Sequence, residues 1–516
     1  MTTGEVPMNA AHVCARRSAG ILRIRVGLSA AAVLAVGVAF VPAHAASPLP
    51  DMASIAQVIG APVAWQAGGT GQGIDVALVD TGVTPVPGLD APGKLVYGPD
   101  LSFDSQNDSM AYLDGYGHGT AMAGIIAGND GTAGGYTGVA PGARLVSVKV
   151  GSSTGAADVS QMIAGIDWVT QHAHDPGMNI RVLNLSLGTT STQPYQVDPL
   201  AHAAENAWRH GIVVVVSVGN DGTGSKYVAD PADDPSLIAV GAEDPQGTVG
   251  TSDDTVASFS QRGTGQRRPD VVAPGAYVMG LLSPNSTLAA QYPNAVFGGR
   301  FLRGSGTSQA AAVVSGAVAD LLSARPDLAP DQLKALLTST AVKIASSNPN
   351  FIGAGVLQVG AALQAPTPNA TQYFAPSSGI GSLEQARGTS HVTMDGDALT
   401  GEQDIFGKPW PSPSIAAAEE TLSAWNGGVF NGSTWSGSTW SGQNWAGQNW
   451  AGQNWAGQNW AGSTWSGSTW SGSTWSGSTW SGSTWSGSTW SGSTWSGSTW
   501  SGSTWSGNDW MGATWD

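Results

Sequence analysis

Cysteine is almost absent from this chain. A single cysteine, Cys14, occurs among 516 residues, and it falls in an N-terminal segment that we interpret below as a removed export signal. The mature chain would then contain no thiol. That absence excludes disulfides, cysteine-ligated metals and a cysteine nucleophile.

Positive charge is also scarce. The chain has 20 Lys and Arg residues against 36 Asp and Glu residues, for a formal net charge of −16. Nucleic-acid binding depends on clustered Lys and Arg, so this balance argues against a nucleic-acid partner. The surplus of acid is instead typical of a soluble exported protein, and the length is sufficient for two or three domains.

The N-terminus has the pattern of a signal peptide. Four arginines precede an apolar run over residues 26–41, and Ala43-His44-Ala45 has the small-x-small form of a cleavage site. The apolar run is shorter than the about 20 residues of a typical membrane helix. We therefore predict a signal peptide over residues 1–45, a secreted product and no membrane span in the mature chain. An uncleaved anchor is the alternative, and Arg16-Arg17 weakly suggests the twin-arginine export route.

The body of the chain alternates short apolar runs with helical patterns. The apolar runs are β-branched and nearly continuous, which is typical of parallel strands covered on both faces. They cover residues 74–80, 145–150, 182–187, 212–218 and 237–240, and helical patterns cover residues 118–127, 159–172 and 200–210. This alternation predicts an α/β fold with a doubly wound, mostly parallel sheet. In such sheets, ligands bind beyond the carboxyl ends of the strands.

Three short motifs carry reactive side chains. They are Asp80-Thr81-Gly82, Gly117-His118-Gly119-Thr120 and Gly306-Thr307-Ser308-Gln309-Ala310. Each is ambiguous alone. Ser308 precedes a small, apolar helical run, where a serine acts either as a helix cap or as a nucleophile. A lone His118 is more often structural, and Asp-Thr-Gly also occurs in aspartic proteases, which need a second copy that this chain lacks.

The order Asp, His, Ser along the chain resembles that of the subtilisin-like serine peptidases. Four further segments between residues 63 and 363 strengthen the resemblance. They are Gly138-Val139-Ala140-Pro141-Gly142-Ala143, Asn184-Leu185-Ser186-Leu187-Gly188, Ser217-Val218-Gly219-Asn220 and Pro269-Asp270-Val271-Val272-Ala273-Pro274-Gly275. The resemblance implies a subtilisin-type sheet and a catalytic domain over residues 46–364.

The resemblance also implies roles for individual residues. Ser308 would attack the scissile carbonyl, His118 would act as general base and then general acid, and Asp80 would orient the imidazole. The side-chain amide of Asn220 matches the family's oxyanion donor. The alternative for Asn220 is a turn residue that tolerates positive φ.

The expected substrate is a protein or peptide bound as an extended strand. Its backbone would pair with Ser186, Leu187 and Gly188 on one side and with the segment Gly155–Ala157 on the other. The first specificity pocket is expected to be lined by Leu187, Val218 and Gly219. These residues favour an apolar substrate side chain, whereas Asp221 near the mouth favours a basic one, and the sequence leaves both open.

The chain departs from the family pattern at three positions near the motifs. Gln309 and Ala121 stand where most relatives carry Met and His, and Ala312 stands where a Pro is usual. None of these changes removes a reacting atom, although the Gln309 amide requires a polar partner. Only residues 46–61 separate the predicted cleavage site from the core, so we expect folding without an inhibitory prodomain.

No metal site is predicted with a diagnostic ligand spacing. Members of the family that this chain resembles often bind structural calcium. The candidate calcium ligands in this chain are Asp104, Asp108 and Asp114. His172 and His174 suggest a metal pair, but they lie at a predicted helix end, where histidine also suits the helix dipole. Structural calcium is thus the one cofactor that the sequence leaves open.

The C-terminal part changes in composition. Residues 365–430 are rich in Pro, Ser, Thr and Gly and are predicted to form a linker with one short helix near residues 415–424. Over residues 431–516, tryptophan recurs at every fifth position from Trp435 to Trp515. Three interpretations compete: a flexible tail, a stacked β-solenoid, and a surface whose rings bind sugars or cell-wall polymers. We favour a repeat structure that also serves surface attachment.

Two functional hypotheses follow. The first is a secreted serine endopeptidase with a C-terminal repeat. The second is a cell-surface or wall-binding protein that uses the peptidase-like domain as a scaffold and the Trp repeat as an adhesive. A scaffold has no reason to retain Asp80, His118, Asn220 and Ser308 together, which favours the enzyme.

Overall fold

The computed structural model describes residues 51–106, 110–265, 267–344, 348–394 and 397–435. The predicted signal peptide and residues 436–516 of the predicted repeat lie outside the described residues, so the β-solenoid prediction is not addressed by this structure. Within the described ranges, no helix combines the length and hydropathy that a membrane span requires.

The helices are α1 Met52–Val58, α2 Ala61–Gln66, α3 His118–Ala127, α4 Val159–His172, α5 Pro199–Arg209, α6 Thr287–Gln291, α7 Thr307–Ala324, α8 Pro330–Thr340, α9 Pro349–Ile352, α10 Val359–Gln364, α11 Leu383–Arg387 and α12 Ser412–Glu420. The strands are β1 Asp75–Asp80, β2 Leu95–Asp100, β3 Arg144–Lys149, β4 Ile180–Leu185, β5 Val213–Ser217, β6 Ile238–Asp244, β7 Thr255–Val256, β8 Val271–Pro274, β9 Val278–Leu281, β10 Val296–Phe297, β11 Phe301–Gly304, β12 Thr393–Met394, β13 Asp397–Ala398, β14 Trp425–Asn426, β15 Val429–Phe430 and β16 Ser433–Thr434.

The central sheet has eight strands. Its order is β2-β3-β1-β4-β5-β6-β7, and β8 pairs with β6 beside this path. Every pairing is parallel except that of β6 with β7. β1 and β5 are buried along their whole length, because both faces of the sheet are covered by helices. The doubly wound α/β prediction is therefore confirmed.

Two helical layers cover the sheet. α7 packs on β4, β5, β6 and β8, with α3 beside it, whereas α4 and α5 pack on each other and on β1, β3 and β5. α7 is buried from Thr307 to Leu322. Its small residues also allow the segment between α3 and β3 to pack closely on it, since an added Cβ on Gly316 would stand 2.6 Å from the Val139 Cβ.

The interval predicted as a linker contains helices and strands. Between residues 366 and 435 it forms α11, α12 and β12 to β16, and it packs against α4 and α5. We call residues 366–435 the C-terminal wrap. Its predicted short helix corresponds to α12. The wrap is ordered by contacts with distant residues: the Trp425 indole N–H donates to the Ala164 carbonyl at 2.8 Å, and the Asn206 amide donates to the Glu419 carbonyl at 2.8 Å.

The wrap ends in a small aromatic core. Phe430 is fully buried, and the rings of Trp425 and Trp435 pack against it at centroid distances of 5.4 Å and 5.5 Å. Phe406 packs edge-on against Trp435 at 5.0 Å. The spacing of five that characterises the repeat thus already relates Trp425, Phe430 and Trp435. The first tryptophan of the predicted repeat, Trp435, belongs to the folded body.

Candidate functional site

The carboxyl ends of neighbouring strands bring the predicted site residues to one edge of the sheet. β1 ends at Asp80, β4 is followed by Ser186, and β5 is followed by Asn220. β1 pairs directly with β4 and β4 with β5. Polar groups after three adjacent parallel strands therefore lie along the same rim, as the sequence predicts for an open α/β sheet.

Asp80 and His118 form a buried hydrogen-bonded pair. His118 Nδ1 lies 2.7 Å from Asp80 Oδ1, and the two residues are 1% and 3% exposed. Burial lowers the pKa of His118, but the charge of Asp80 and the hydrogen bond to it raise that pKa above its ordinary value. The Asp80 carboxylate thus fixes the ring orientation and favours the imidazolium form. Among the described residues, His118 Nε2 has no hydrogen-bond partner.

A second buried carboxylate, Asp114, joins the two motifs. Its Oδ1 accepts from the Thr81 hydroxyl at 2.8 Å and from the Gly117 N–H at 2.7 Å, and its Oδ2 accepts from the Thr120 N–H at 2.7 Å. Burial raises the pKa of Asp114, although these hydrogen bonds oppose the shift. The sequence named Asp114 only as a calcium candidate, because no local pattern showed that it connects the loop after β1 to the start of α3.

Close backbone packing holds His118 against this loop. An added Cβ on Gly119 would stand 2.1 Å from the Gly82 carbonyl oxygen, so no larger side chain fits there. The Gly119 N–H also donates to the Thr81 hydroxyl at 2.9 Å. The glycines of both motifs therefore allow the first turn of α3 to lie directly on the end of β1.

Ser308 lies inside the first turn of α7. The N-cap of this helix is Gly306 and its first residue is Thr307, so Ser308 does not cap the helix. The Ser308 hydroxyl donates to the Ser186 carbonyl at 3.1 Å, and the side chain is 3% exposed. The first N–H groups of a helix have no partner within it, so the backbone N–H of Ser308 remains available as a donor at this end.

Asn220 contacts the same helix end. Its Oδ1 accepts from the Thr307 N–H at 2.8 Å and from the Thr307 hydroxyl at 3.0 Å. This bonding assigns the oxygen side of the amide to the helix and directs the NH2 group away from Thr307. Asn220 is therefore bonded to the residue directly before Ser308.

The two segments predicted to bind substrate come after β4 and β3. Ser186 and Leu187 continue from β4 and are 2% and 7% exposed, and Gly188 is partly exposed. Gly155 lies in the loop after β3 with φ of +83°, and an added Cβ would stand 2.8 Å from the Tyr116 ring. Gly155 therefore packs directly against the Tyr116 ring, a contact that sequence reasoning missed.

Gln261, which the sequence did not suggest, packs against Gly219, one of the residues predicted to line the specificity pocket. Gly219 has φ of +103°, and an added Cβ would fall 1.7 Å from the Gln261 side-chain oxygen. The Gln261 N–H donates to the Gly219 carbonyl at 3.1 Å. Val218 is fully buried and offers no accessible side-chain surface. At the rim, the Tyr227 hydroxyl donates to the Asp221 carboxylate at 2.9 Å.

The carboxylates considered for calcium bind groups of the protein itself. Asp104 accepts from the Lys149 ammonium at 2.9 Å, and that ammonium also donates to the carbonyls of Met110 and Leu113. Asp114 is occupied as described, and Asp108 lies outside the described residues. Within those ranges, no group of three or more His, Cys, Asp or Glu residues has the geometry of a metal site.

The surroundings of His172 and His174 favour a structural role at a helix end over a metal pair. The ring of His172 stacks on Trp168 with a centroid distance of 4.6 Å, and its Nδ1 lies 2.8 Å from the Trp168 carbonyl. His174 is exposed beyond the end of α4. These contacts explain the pair by packing at the end of a helix.

Two departures from the family pattern meet in one place. Ala121 and Gln309 both line a narrow, mostly apolar cavity beside His118. No hydrogen bond of the Gln309 amide to a described residue is present, so the polar partner that the sequence requires for it is not supplied from there. Ala121 on α3 packs directly on Gly280 of β9, where an added Cβ would stand 2.8 Å from Ala121, and both residues line the cavity.

Known proteins resemble this chain over the region that contains the site. The model of the Subtilase family matches residues 71–383. Serine protease AprX of Bacillus subtilis is 38% identical over 295 residues, which cover 56% of this chain and 65% of AprX. Subtilisin Savinase of Lederbergia lenta is 35% identical over 302 residues, which cover 58% of this chain and 95% of that protein. The chain therefore spans slightly less than two thirds of AprX.

A solved structure also matches. The crystal structure of fervidolysin from Fervidobacterium pennivorans, a keratinolytic enzyme related to subtilisin, aligns with a TM-score of 0.49 and 30% sequence identity. The alignment covers 61% of this chain and 46% of fervidolysin.

Proposed function

This chain belongs to the Subtilase family of serine proteases, and from that premise we propose that it is a secreted serine endopeptidase using Asp80, His118 and Ser308. The observation that carries the proposal is the 2.7 Å contact of His118 Nδ1 with Asp80 Oδ1. Because Nδ1 makes this contact, the other ring nitrogen of His118 is Nε2, which has no hydrogen-bond partner among the described residues. Ser308 lies in the first turn of α7.

In the proposed reaction, the Ser308 hydroxyl gives its proton to His118 Nε2 as its oxygen attacks the scissile carbonyl. Asp80 stabilises the imidazolium that forms. The imidazolium then protonates the leaving amine, the C–N bond breaks and an acyl-enzyme remains. His118 then takes a proton from a water molecule as its oxygen attacks the ester carbonyl. The imidazolium gives this proton to the Ser308 oxygen as the C–O bond breaks, which releases the acid and restores the hydroxyl.

The Ser308 hydroxyl must turn from the Ser186 carbonyl toward His118 for this step. Such a hydrogen bond is often long or absent without substrate and forms in the reacting complex. The Asn220 amide and the Ser308 backbone N–H would bind the oxygen of the tetrahedral intermediate. Loss of an amide at this position is known to cost about 10²–10³ in kcat in subtilisin.

The substrate would be an extended peptide lying between the Ser186–Gly188 segment and the loop around Gly155. This placement presents the carbonyl carbon of the scissile bond to Ser308. It directs the side chain of the residue that carries this carbonyl toward Leu187 and Gly219. Export follows from the arginine-rich, apolar pattern of residues 1–45. Recovery of a product beginning at Ala46 from the medium would support it, whereas retention with the N-terminal segment intact would contradict it.

Labelling with a fluorophosphonate, which phosphonylates an activated serine, tests the proposal. The full chain should be labelled stoichiometrically and should cleave an unfolded protein. Ser308→Ala should abolish labelling and lower peptide hydrolysis by about 10⁶-fold, because the nucleophile is lost.

Ser305→Ala is the matched control. Ser305 lies three residues before Ser308, and its hydroxyl accepts the Tyr277 N–H at 2.9 Å, so its loss should leave labelling intact. If the wild type is not labelled, or if labelling survives in Ser308→Ala, the proposal fails.

A further inference from the structure

The C-terminal wrap reaches both sides of the proposed substrate cleft through one short helix. α11 contacts α4 and α5, and its last residues bond to Asp158 and Thr189. Asp158 directly follows the loop around Gly155. Thr189 directly follows Gly188. A single turn of helix is therefore attached to the residue behind each segment that would hold the substrate backbone.

Arg387 makes the first attachment. Its Nε donates to Asp158 Oδ2 at 2.7 Å, and its Nη2 donates to Asp158 Oδ1 at 3.3 Å and to the Gln403 carbonyl at 2.5 Å. Its Nη1 donates to the Gly401 carbonyl at 2.6 Å and to the Glu384 carboxylate at 3.2 Å. All five N–H groups of the guanidinium are thus used.

The burial of this pair makes it rigid. Arg387 and Asp158 are both 0% exposed, and a buried charge pair of this kind tolerates little displacement, because either partner alone would be an uncompensated charge. Asp158 also caps α4 by accepting from the Ser160 N–H at 2.9 Å. The position of Arg387 therefore sets the position of the end of the Gly155 loop.

Thr189 makes the second attachment. Its hydroxyl donates to the Ala386 carbonyl at 2.5 Å, one residue before Arg387 in α11. Its backbone N–H donates to the Asp230 carbonyl, and the Asp230 N–H donates back to the Thr189 carbonyl. Nearby, the Thr192 N–H donates to the Gln385 carbonyl at 3.1 Å. The end of the Ser186–Gly188 segment is therefore bonded to the same helix as Asp158.

We propose that α11 is a clamp that sets the width of the substrate cleft, and that Arg387 is a positioning residue for extended substrates. The proposal rests on the proposed peptidase function and deepens it, because it specifies substrates that span several residues before the scissile bond. Neither Arg387 nor Thr189 belongs to the catalytic groups. They act by holding the spacing between two backbone segments, each of which must meet the same inserted strand.

The clamp predicts a dependence on substrate length. A peptide that fills four positions before the scissile bond pairs with both segments, and it gains from their fixed separation. A short ester that fills only the first position depends on Ser308, His118 and the first pocket. Loss of the clamp therefore penalises the long substrate alone.

The experiment measures kcat and KM of the full chain with both substrates, using fluorophosphonate labelling to count competent active sites. Arg387→Met should lower kcat/KM for the long peptide by about 10- to 100-fold, mainly through KM, because misplacement by about 1 Å has effects of this size. Arg387→Lys should restore part of the loss, since it keeps the charge but not the five-donor geometry. The value for the short ester should change by less than about 2-fold.

Thr189→Val provides a milder second variant, because it removes the short hydrogen bond to Ala386 and a long one, at 3.5 Å, to Asp230 Oδ2 but no charge. We expect the same length dependence at about 3- to 10-fold, so the inference stays testable if Arg387→Met does not fold. The matched control is Gln372→Ala. Gln372 belongs to the same wrap but bonds to Asp331 and to the Ser236 carbonyl, and its loss should affect neither substrate.

Equal losses on both substrates, or no loss in either clamp variant, would overturn the inference while leaving the peptidase assignment intact. If the wild-type chain is not labelled at all, the proposed function fails and the clamp fails with it. These two failures are distinguished by the labelling alone.

Discussion

At the scale of single residues, the site depends on groups that perform no chemistry. Asp114 accepts three hydrogen bonds from the loop after β1 and from the start of α3. Those two segments carry Asp80 and His118. The relative position of the acid and the imidazole is therefore set by a third, fully internal carboxylate.

Replacement of this carboxylate should impair catalysis more than binding. In Asp114→Asn, one oxygen becomes an NH2 group, and whichever way the amide turns, it faces an N–H donor. We expect kcat to fall by about 10- to 100-fold with little change in KM, because the imidazole is no longer aligned. Steady-state kinetics on a short ester, together with the rate of fluorophosphonate labelling, measure this effect.

The control for this variant lies at the other end of the same strand. Asp75 begins β1, pairs with Arg144 and accepts the Asn179 N–H at 2.7 Å. Asp75→Asn should lower the melting temperature without changing kcat per labelled site. A normal kcat in Asp114→Asn would show that the hydrogen bonds of Asp114 do not govern the His118 geometry.

At the scale of secondary-structure elements, α12 is attached to the main domain by titratable groups. Glu419 on α12 is buried near Asp167 on α4, and Glu419 Oε2 lies 3.3 Å from His202 Nε2 on α5. Burial, followed by the charge of Asp167, raises the pKa of Glu419 well above its ordinary value, and burial likewise raises that of Asp167. Burial lowers the pKa of His202, whose Nδ1 lies 2.9 Å from the Ser377 carbonyl.

The sign of the resulting pH dependence follows from proton binding. The folded chain keeps protons on Glu419 and Asp167 that the unfolded chain releases above about pH 4. The contribution of these two groups to the free energy of unfolding is therefore fully present below that pH. It is lost as pH rises through their raised pKa values. His202 acts in the opposite sense, because its stability contribution is lost as pH falls below about 6.5. We expect α12 to be held less firmly at alkaline pH.

Thermal melts of the full chain between pH 6 and pH 10 measure this effect. Glu419→Gln should flatten the alkaline loss, because an amide keeps the size of the side chain and does not ionise. Glu420→Gln is the matched control, since the side chain of Glu420 is 57% exposed and lies 3.9 Å from Arg209. Identical alkaline slopes in wild type and Glu419→Gln would contradict this account.

The elements that could be predicted from the sequence are those with a local signature. The five apolar runs and three helical patterns coincide with β1, β3 to β6 and α3 to α5 to within a few residues. β2 had no such signature, because Gly98 and Pro99 interrupt it. It is nonetheless a strand, since its backbone pairs with β3 at the edge of the sheet.

The site residues likewise divide into those with a local sequence signature and those without one. Asp80, His118, Asn220 and Ser308 lie in short motifs that a known family shares, so the sequence could assign them expected roles. Asp114, Gln261 and Arg387 lie in no such motif. Arg387 meets Asp158 across 229 residues of chain, and no local pattern encodes a contact of that kind.

At the scale of the whole molecule, the C-terminal wrap completes the main domain. The composition of residues 365–430 predicted a linker because it is rich in Pro, Ser, Thr and Gly. The structure orders most of this interval through buried polar contacts with α4 and α5. Without it, the carboxylates of Asp158 and Asp167 and the ring of His202 would lose the surfaces that cover them.

Truncation tests the importance of this cover. A chain ending after Gln364 should be less stable than one ending after Trp435 by at least about 3 kcal/mol, since it leaves Asp158 without its buried partner. Scanning calorimetry and resistance to an added protease of other specificity measure the difference. The longer chain is the reference because it retains every described residue. Equal melting temperatures would show that the wrap contributes no stability.

The burial of Trp435 has a mechanical consequence. Trp435 packs on Phe430, which packs on Trp425, and the indole of Trp425 is bonded to α4. A force applied to the chain just after Trp435 is therefore transmitted through these aromatic rings to α4. The N-cap of α4 is Asp158, which is bonded to Arg387. If the repeat is tethered to a surface, the tension therefore enters the folded body at α4.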